Sequence, residues 1–245
     1  MRICFTEPRR IILALLAGML FAFLTACSST HMTPLPVVVA TSGGGQSTVV
    51  NTAFGEPFVA TVTINGQPAT GVSVLFTATS EPGCTFANET NTETDVTDST
   101  GTATSSVCTA DTTAGAYNVT ASTLPAAGDS FSVSNTSGPP DSISVGSGTP
   151  QSTEEDSAFA DPLVANVVDV YGNPVAGASV TFTAPASGAS GTFANGTKTE
   201  TDVTDANGNA TTSTFTANTT VGGPYKVKGV LTGFPALTFS LTNTD

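Results

Sequence analysis

The chain has 245 residues, with six Lys+Arg against 19 Asp+Glu and a formal net charge of −13. Beyond residue 10 the only cations are Lys198, Lys226 and Lys228, too few to neutralise a phosphate backbone, so nucleic-acid binding is disfavoured. A single histidine, His31, and the absence of tryptophan leave little for histidine-based hydrolysis or histidine-ligated metals, while 45 threonines, 24 glycines and 15 prolines favour strands and turns.

In chain order, Arg2, Arg9 and Arg10 precede an apolar run over residues 11–26. That run is short for a membrane span, which takes roughly 20 residues, and reads as a signal peptide. It ends Leu24-Thr25-Ala26-Cys27, which resembles the lipobox of bacterial lipoproteins. The resemblance implies cleavage before Cys27, a diacylglycerol on its sulfur and, from Ser28, sorting to the outer membrane. An ordinary secretory signal is the rival reading. The expected segments are a signal peptide at 1–26 and a lipidated tether at 27–36, with the protein facing the cell surface or the periplasm.

The remainder is an internal repeat. Thr92-Glu93-Thr94-Asp95-Val96-Thr97-Asp98 recurs unchanged as Thr199-Glu200-Thr201-Asp202-Val203-Thr204-Asp205. Thr85-Phe86-Ala87-Asn88 likewise answers Thr192-Phe193-Ala194-Asn195, and Asn135-Thr136 answers Asn243-Thr244. Two domains are expected, at 37–138 and 139–245, joined where Pro139-Pro140 stiffens the chain.

Each copy predicts short strands. Phe58, Ala60, Val62 and Ile64 alternate with polar neighbours, as do Leu163, Ala165 and Val167. Asn65-Gly66-Gln67-Pro68, Tyr171-Gly172-Asn173-Pro174 and Asp205-Ala206-Asn207-Gly208 are tight-turn sequences between strands. About seven such strands per copy and no long amphipathic helix predict an all-β chain of two tandem immunoglobulin-like sandwiches. Tyr117 and Tyr225 read as packing residues.

Gln151-Ser152-Thr153, Phe159, Tyr171-Gly172-Asn173-Pro174-Val175-Ala176-Gly177 and Thr204-Asp205-Ala206-Asn207-Gly208 stand in an order that resembles the bacterial Ig-like repeat of the intimin and invasin adhesins. The resemblance implies stalk modules at a bacterial surface. The first copy departs from it, its turn Thr63-Ile64-Asn65-Gly66-Gln67-Pro68 being one residue shorter than Val168–Pro174.

Several acids could carry chemistry. Asp95, Asp98, Asp202 and Asp205 are weak candidates for calcium, which takes six to eight oxygen ligands, and the rival reading makes them turn acids bonded to local backbone. Glu154-Glu155-Asp156, with Asp141 and Asp161, reads as a second acidic group near the joint, most simply a solvated charge run. No catalytic site and no cofactor is expected, structural calcium being the weak alternative. The candidate binding loops are those holding Tyr171 and Asn173 and holding Asp205 and Asn207, as loops of the copy farther from the lipid, whose distal tip is where a partner is expected.

Cys84 and Cys108 have Gly191 and Phe215 as counterparts, so both cysteines are missing together from the second copy. In an oxidising compartment this predicts a Cys84–Cys108 disulfide, against the alternative of two buried thiols. The expected function is non-enzymatic: a lipid-anchored envelope protein acting in adhesion or as a stalk or spacer. The alternative is a binding subunit for a polysaccharide or a partner protein. The expected partners are the membrane, through Cys27, and a protein or polysaccharide ligand.

Overall fold

The computed structural model describes residues 34–245; Cys27, His31 and the signal segment lie outside them. All regular structure among the described residues is β, and no helix there is long and apolar enough to cross a membrane. The first copy contains β1 (Val37–Ser42), β2 (Ser47–Val49), β3 (Val59–Ile64), β4 (Gln67–Pro68), β5 (Ser73–Ala78), β6 (Cys84–Thr85), β7 (Thr92–Val96), β8 (Thr102–Thr104), β9 (Thr109–Ala110), β10 (Gly115–Ser122) and β11 (Asp129–Thr136). The second contains β12 (Ser142–Ser147), β13 (Gln151–Glu154), β14 (Val164–Val168), β15 (Ser179–Thr183), β16 (Gly191–Phe193), β17 (Thr199–Val203), β18 (Asn209–Thr211), β19 (Phe215–Ala217), β20 (Gly222–Leu231) and β21 (Leu237–Thr244).

There are thus more strands than the seven expected per copy. The additions are short, with two residues in β4, β6 and β9 and three in β16, β18 and β19, too few to show an alternation of apolar and polar residues. The longer strands follow the pattern. Phe58, Ala60 and Val62 of the first copy and Leu163, Ala165 and Val167 of the second are fully buried.

Each copy is a sandwich of two sheets. In the first, β1 and β8 flank β3 in one sheet, and the order β2-β11-β10-β5-β7 makes the other. In the second, β12-β14-β18 faces β13-β21-β20-β15-β17. The opening segment of each copy serves both sheets: β1 pairs antiparallel with β3, then β2 pairs parallel with β11, and β12 and β13 repeat this with β14 and β21. At Asn65-Gly66, φ values of 54° and 75° close a two-residue hairpin between β3 and β4.

Each sandwich encloses its own apolar core. In the first, Phe58 packs against Phe131 with ring centroids 5.1 Å apart and against Phe86 at 6.4 Å. In the second, Phe182 packs against Phe239 at 5.8 Å. Cys84 and Cys108 are joined by a disulfide in the first copy, their Cα atoms 5.8 Å apart. At the matching place in the second copy, Phe215 lies over Gly191. A Cβ at Gly191 would stand 2.2 Å from the Thr216 carbonyl oxygen and 2.8 Å from Phe215 Cζ, so the ring needs the glycine.

Candidate functional site

The copies meet through one turn of the second and one loop of the first. The turn Asp169–Asn173 follows β14 and closes with the Asp169 N–H donating to the Asn173 carbonyl at 2.9 Å. The Asp169 side chain is only 2% exposed, and its carboxylate accepts from the Tyr171 N–H, the Asn173 N–H, Asn173 Nδ2 and the Gly138 N–H of the linker, each at 2.9 Å. Burial pushes the carboxyl up, but these donors outweigh it and hold the group below its ordinary value. The clamped Asn173 side chain then faces the loop Asp111–Gly115 of the first copy. Asn173 Nδ2 donates to the Thr112 carbonyl and Asn173 Oδ1 accepts from the Ala114 N–H, both at 2.9 Å.

The receiving loop rests on a buried platform. Asn135, 3% exposed, donates through Nδ2 to the Gly83 carbonyl, to Asp111 Oδ1 and to the Thr113 carbonyl, and its Oδ1 accepts from the Tyr117 hydroxyl at 3.2 Å. Tyr117 therefore packs, as expected, and also holds the platform; burial and then the nearby Asp111 charge push its phenol pKa up.

This arrangement corrects the placement of the candidate binding loops. Ser142 pairs with Val168 and Glu154 pairs with Thr244, so the 169–174 turn lies at the joint end of the second copy and its C-terminus at the other. The turn Asp205–Gly208 lies beside the first, because the Val167 N–H donates to the Gly208 carbonyl and Gly208 abuts Pro174. Tyr171, Asn173, Asp205 and Asn207 therefore all sit at the joint end, and none is at the distal tip. The second acidic group also divides. Asp141, whose N–H donates to Val168, is at the joint, whereas Glu155, whose N–H donates to Thr244, is at the far end.

The four weak calcium candidates fall into two kinds. Asp98 Oδ1 accepts from Thr100 Oγ1, the Thr100 N–H and the Thr102 N–H, and Asp205 Oδ1 accepts from the Asn207 and Asn209 N–H groups. Both are turn caps, and those bonds lower both carboxyl pKa values. Asp95 and Asp202 instead lie in edge strands. Asp95 Oδ2 accepts from the Thr104 N–H of the opposite sheet at 2.8 Å, and neighbouring Glu93 accepts from Ser106. The two acids occupy N–H groups at the open edge of the smaller sheet, where a foreign strand would otherwise pair. Among the described residues, no three His, Cys, Asp or Glu side chains converge at metal-binding spacing.

Asp202 breaks the symmetry. Glu200 repeats the bond to Ser213, but Asp202 Oδ2 is buried without a partner. Burial, then the Glu200 charge, raises the Asp202 carboxyl pKa. A raised folded value costs stability once the group ionises, so the cost is absent well below the unfolded value of 3.8 and grows as pH rises past it. Asp202→Asn is expected to raise the stability of the second copy at pH 7, by less than about 1 kcal/mol because the group is partly hydrated, with no gain at about pH 3. Asp95→Asn is expected to lower that of the first copy at pH 7. Thermal unfolding at the two pH values reads both.

Elsewhere, a groove of about 490 Å³ on the first copy is lined by Val72, Ser73, Leu75, Thr94, Ser122, Thr123 and the fully exposed Leu124, with no titratable side chain. The sequence reading missed Asp169, Thr112, Ala114 and Gly138 as joint residues. The one available signal was the extra residue that Val168–Pro174 carries over Thr63–Pro68.

No family model and no curated protein matches the sequence. Solved structures do match. The D0-D1 domain of intimin aligns with 83% of this chain and all of its own at 22% identity and a TM-score of 0.34. Invasin, described as a bacterial integrin-binding protein, aligns with 86% of this chain and 40% of its own at 22% identity and a TM-score of 0.35. The Escherichia coli adhesin FdeC aligns with 86% and 65% at 14% identity and a TM-score of 0.40.

Proposed function

We propose that the chain is a non-enzymatic, lipid-anchored cell-envelope stalk in which two Ig-like sandwiches, residues 37–138 and 139–245, are held end to end for adhesion or spacing. The observation that carries this reading is the joint. Asn173, a polar side chain that would be open to a ligand on an isolated second copy, is buried in holding it to the first, with Asp169 clamping it from within the turn. Two hydrogen bonds and a buried carboxylate resist bending where Pro139-Pro140 already restricts the linker.

Asn173→Ala is expected to remove about 2 kcal/mol of coupling between the copies, since two hydrogen bonds go and Asp169 loses a donor. Amide exchange at Ala114 and small-angle scattering would show the joint opening; an unchanged exchange rate and particle length would count against a stiff stalk. Deleting residues 141–245 tests the role: a spacer loses reach, whereas a binding subunit using the second copy loses its partner outright.

The anchor belongs to the same reading. Cys27 follows Leu24-Thr25-Ala26, and several acyl chains at about 0.8 kcal/mol per buried CH₂ hold a protein on a membrane essentially permanently. Cys27→Ala is expected to abolish radiolabelled palmitate incorporation and move the protein to the soluble fraction. Label retained in that variant would remove the lipid from the proposal.

A further inference from the structure

We propose that the loop Asn218–Gly222, at the C-terminal end of the second copy, is a docking surface for the asparagine-bearing turn of a further Ig-like module, one whose turn resembles Asp169–Pro174. The inference rests on the loop's own geometry and holds whether the chain is a spacer or a binder.

The loop duplicates the one that already holds Asn173. Asp111-Thr112-Thr113-Ala114-Gly115 corresponds to Asn218-Thr219-Thr220-Val221-Gly222, and the glycines that end them share an unusual backbone, with φ of 154° and 147°. The buried asparagines beneath share three donor bonds. Asn243, 1% exposed, donates through Nδ2 to the Ser190 carbonyl, Asn218 Oδ1 and the Thr220 carbonyl, as Asn135 does to Gly83, Asp111 and Thr113. The Tyr225 hydroxyl donates to Asn243 Oδ1 at 2.9 Å, as Tyr117 does to Asn135. The Asn218 N–H donates to Ser190 as the Asp111 N–H donates to Gly83.

Two differences remain: Asn218 Nδ2 donates to the Gly188 carbonyl where Asp111 Oδ2 is buried without a partner, and the two loops differ in occupancy. In the first copy the Thr112 carbonyl and the Ala114 N–H, two residues apart, take the two ends of one carboxamide. Their counterparts, the Thr219 carbonyl and the Val221 N–H, have no partner among the described residues, and Thr219 and Val221 are exposed. An acceptor and a donor at this spacing on a rigid loop fit a primary amide, which offers N–H and C=O together. A carboxylate, which only accepts, satisfies the N–H and leaves the carbonyl unpaired. An Asn clamped by an aspartate, as Asn173 is by Asp169, arrives with its side chain already ordered, which lowers the entropic cost of docking. Two such bonds are weak between separate molecules, so the partner module must be held close by a short connection.

The test exchanges one loop for the other in the full chain. Thr112 and Thr113 already match Thr219 and Thr220, so Asp111→Asn with Ala114→Val converts the occupied loop into the free one. Amide exchange at position 114 and the Asn173 side-chain NH₂ signals are expected to stay within about threefold of the parent protein. A rise in exchange to the level of Asn173→Ala would overturn the proposal. A second protein repeats residues 137–245 after Thr244, with Ala114 as an internal reference. There the Val221 amide is expected to exchange at least about tenfold more slowly than in the parent, and to recover when the appended counterpart of Asn173 is changed to Ala. If Val221 exchange stays unchanged while Ala114 remains protected, the surface does not dock such a module.

Discussion

Phe215→Ala is expected to destabilise the second copy by about 3–5 kcal/mol, the usual range for truncating a buried aromatic. Phe215 is 1% exposed and joins two other rings, with centroids 4.8 Å from Phe193 and 5.7 Å from Phe159. Phe193 sits on the strand paired with that of Phe215, and Phe159, outside the strands, is tied by its N–H to the Phe215 carbonyl at 2.9 Å, which limits how far the space can close. Gly191 worsens the loss, since it has no side chain to lean into the void. The first copy has a separate core and should keep its own unfolding midpoint. Urea denaturation followed by residue-resolved NMR separates the two copies. A loss spread equally over both would mean that they unfold as one unit and that the separate cores do not set stability.

The second large effect is expected from Cys84→Ala with Cys108→Ala. The cysteines are 24 positions apart, and freeing a loop of that length costs about 3 kcal/mol in the chain-entropy model. Both side chains are buried against the first core, so two sulfurs' worth of packing is lost as well. Reduction with dithiothreitol should reproduce most of the entropic part and leave the second copy's midpoint unchanged. Two thiols titrating in the denatured, unreduced protein would contradict the bond. Both predictions concern one place in the fold, a short strand pair that each copy closes differently. In β6–β9, Cys84 stands opposite Ala110, two residues along from Cys108, and in β16–β19 Gly191 stands opposite Ala217, two residues along from Phe215. A covalent link and an aromatic ring are alternative ways of filling the same diagonal. A glycine opposite the ring is what the second way requires.

Much of this was legible from residue order. The repeat anchored on Thr92–Asp98 and Thr199–Asp205, the alternation of Phe58, Ala60 and Val62, and the joint loss of both cysteines are patterns within one strand or between two aligned copies. Such patterns survive in sequence because a strand alternates its faces every residue, and because a half-disulfide has no use. The two-residue strands were not legible, since they carry no period.

What only the tertiary structure decided was the use of the polar side chains. Asp95 and Asp98 are three residues apart in identical heptapeptides of both copies, yet one bonds across to the other sheet and the other caps its own turn. Asn173 looked like a ligand residue on an exposed turn, and it is the residue that holds the two copies together. Its partners lie 59 and 61 positions away in the chain. Nothing local distinguishes a carboxamide that will meet a loop from one that will meet water, because hydrogen bonds depend on distance and direction in space, and those exist only once both sandwiches have folded.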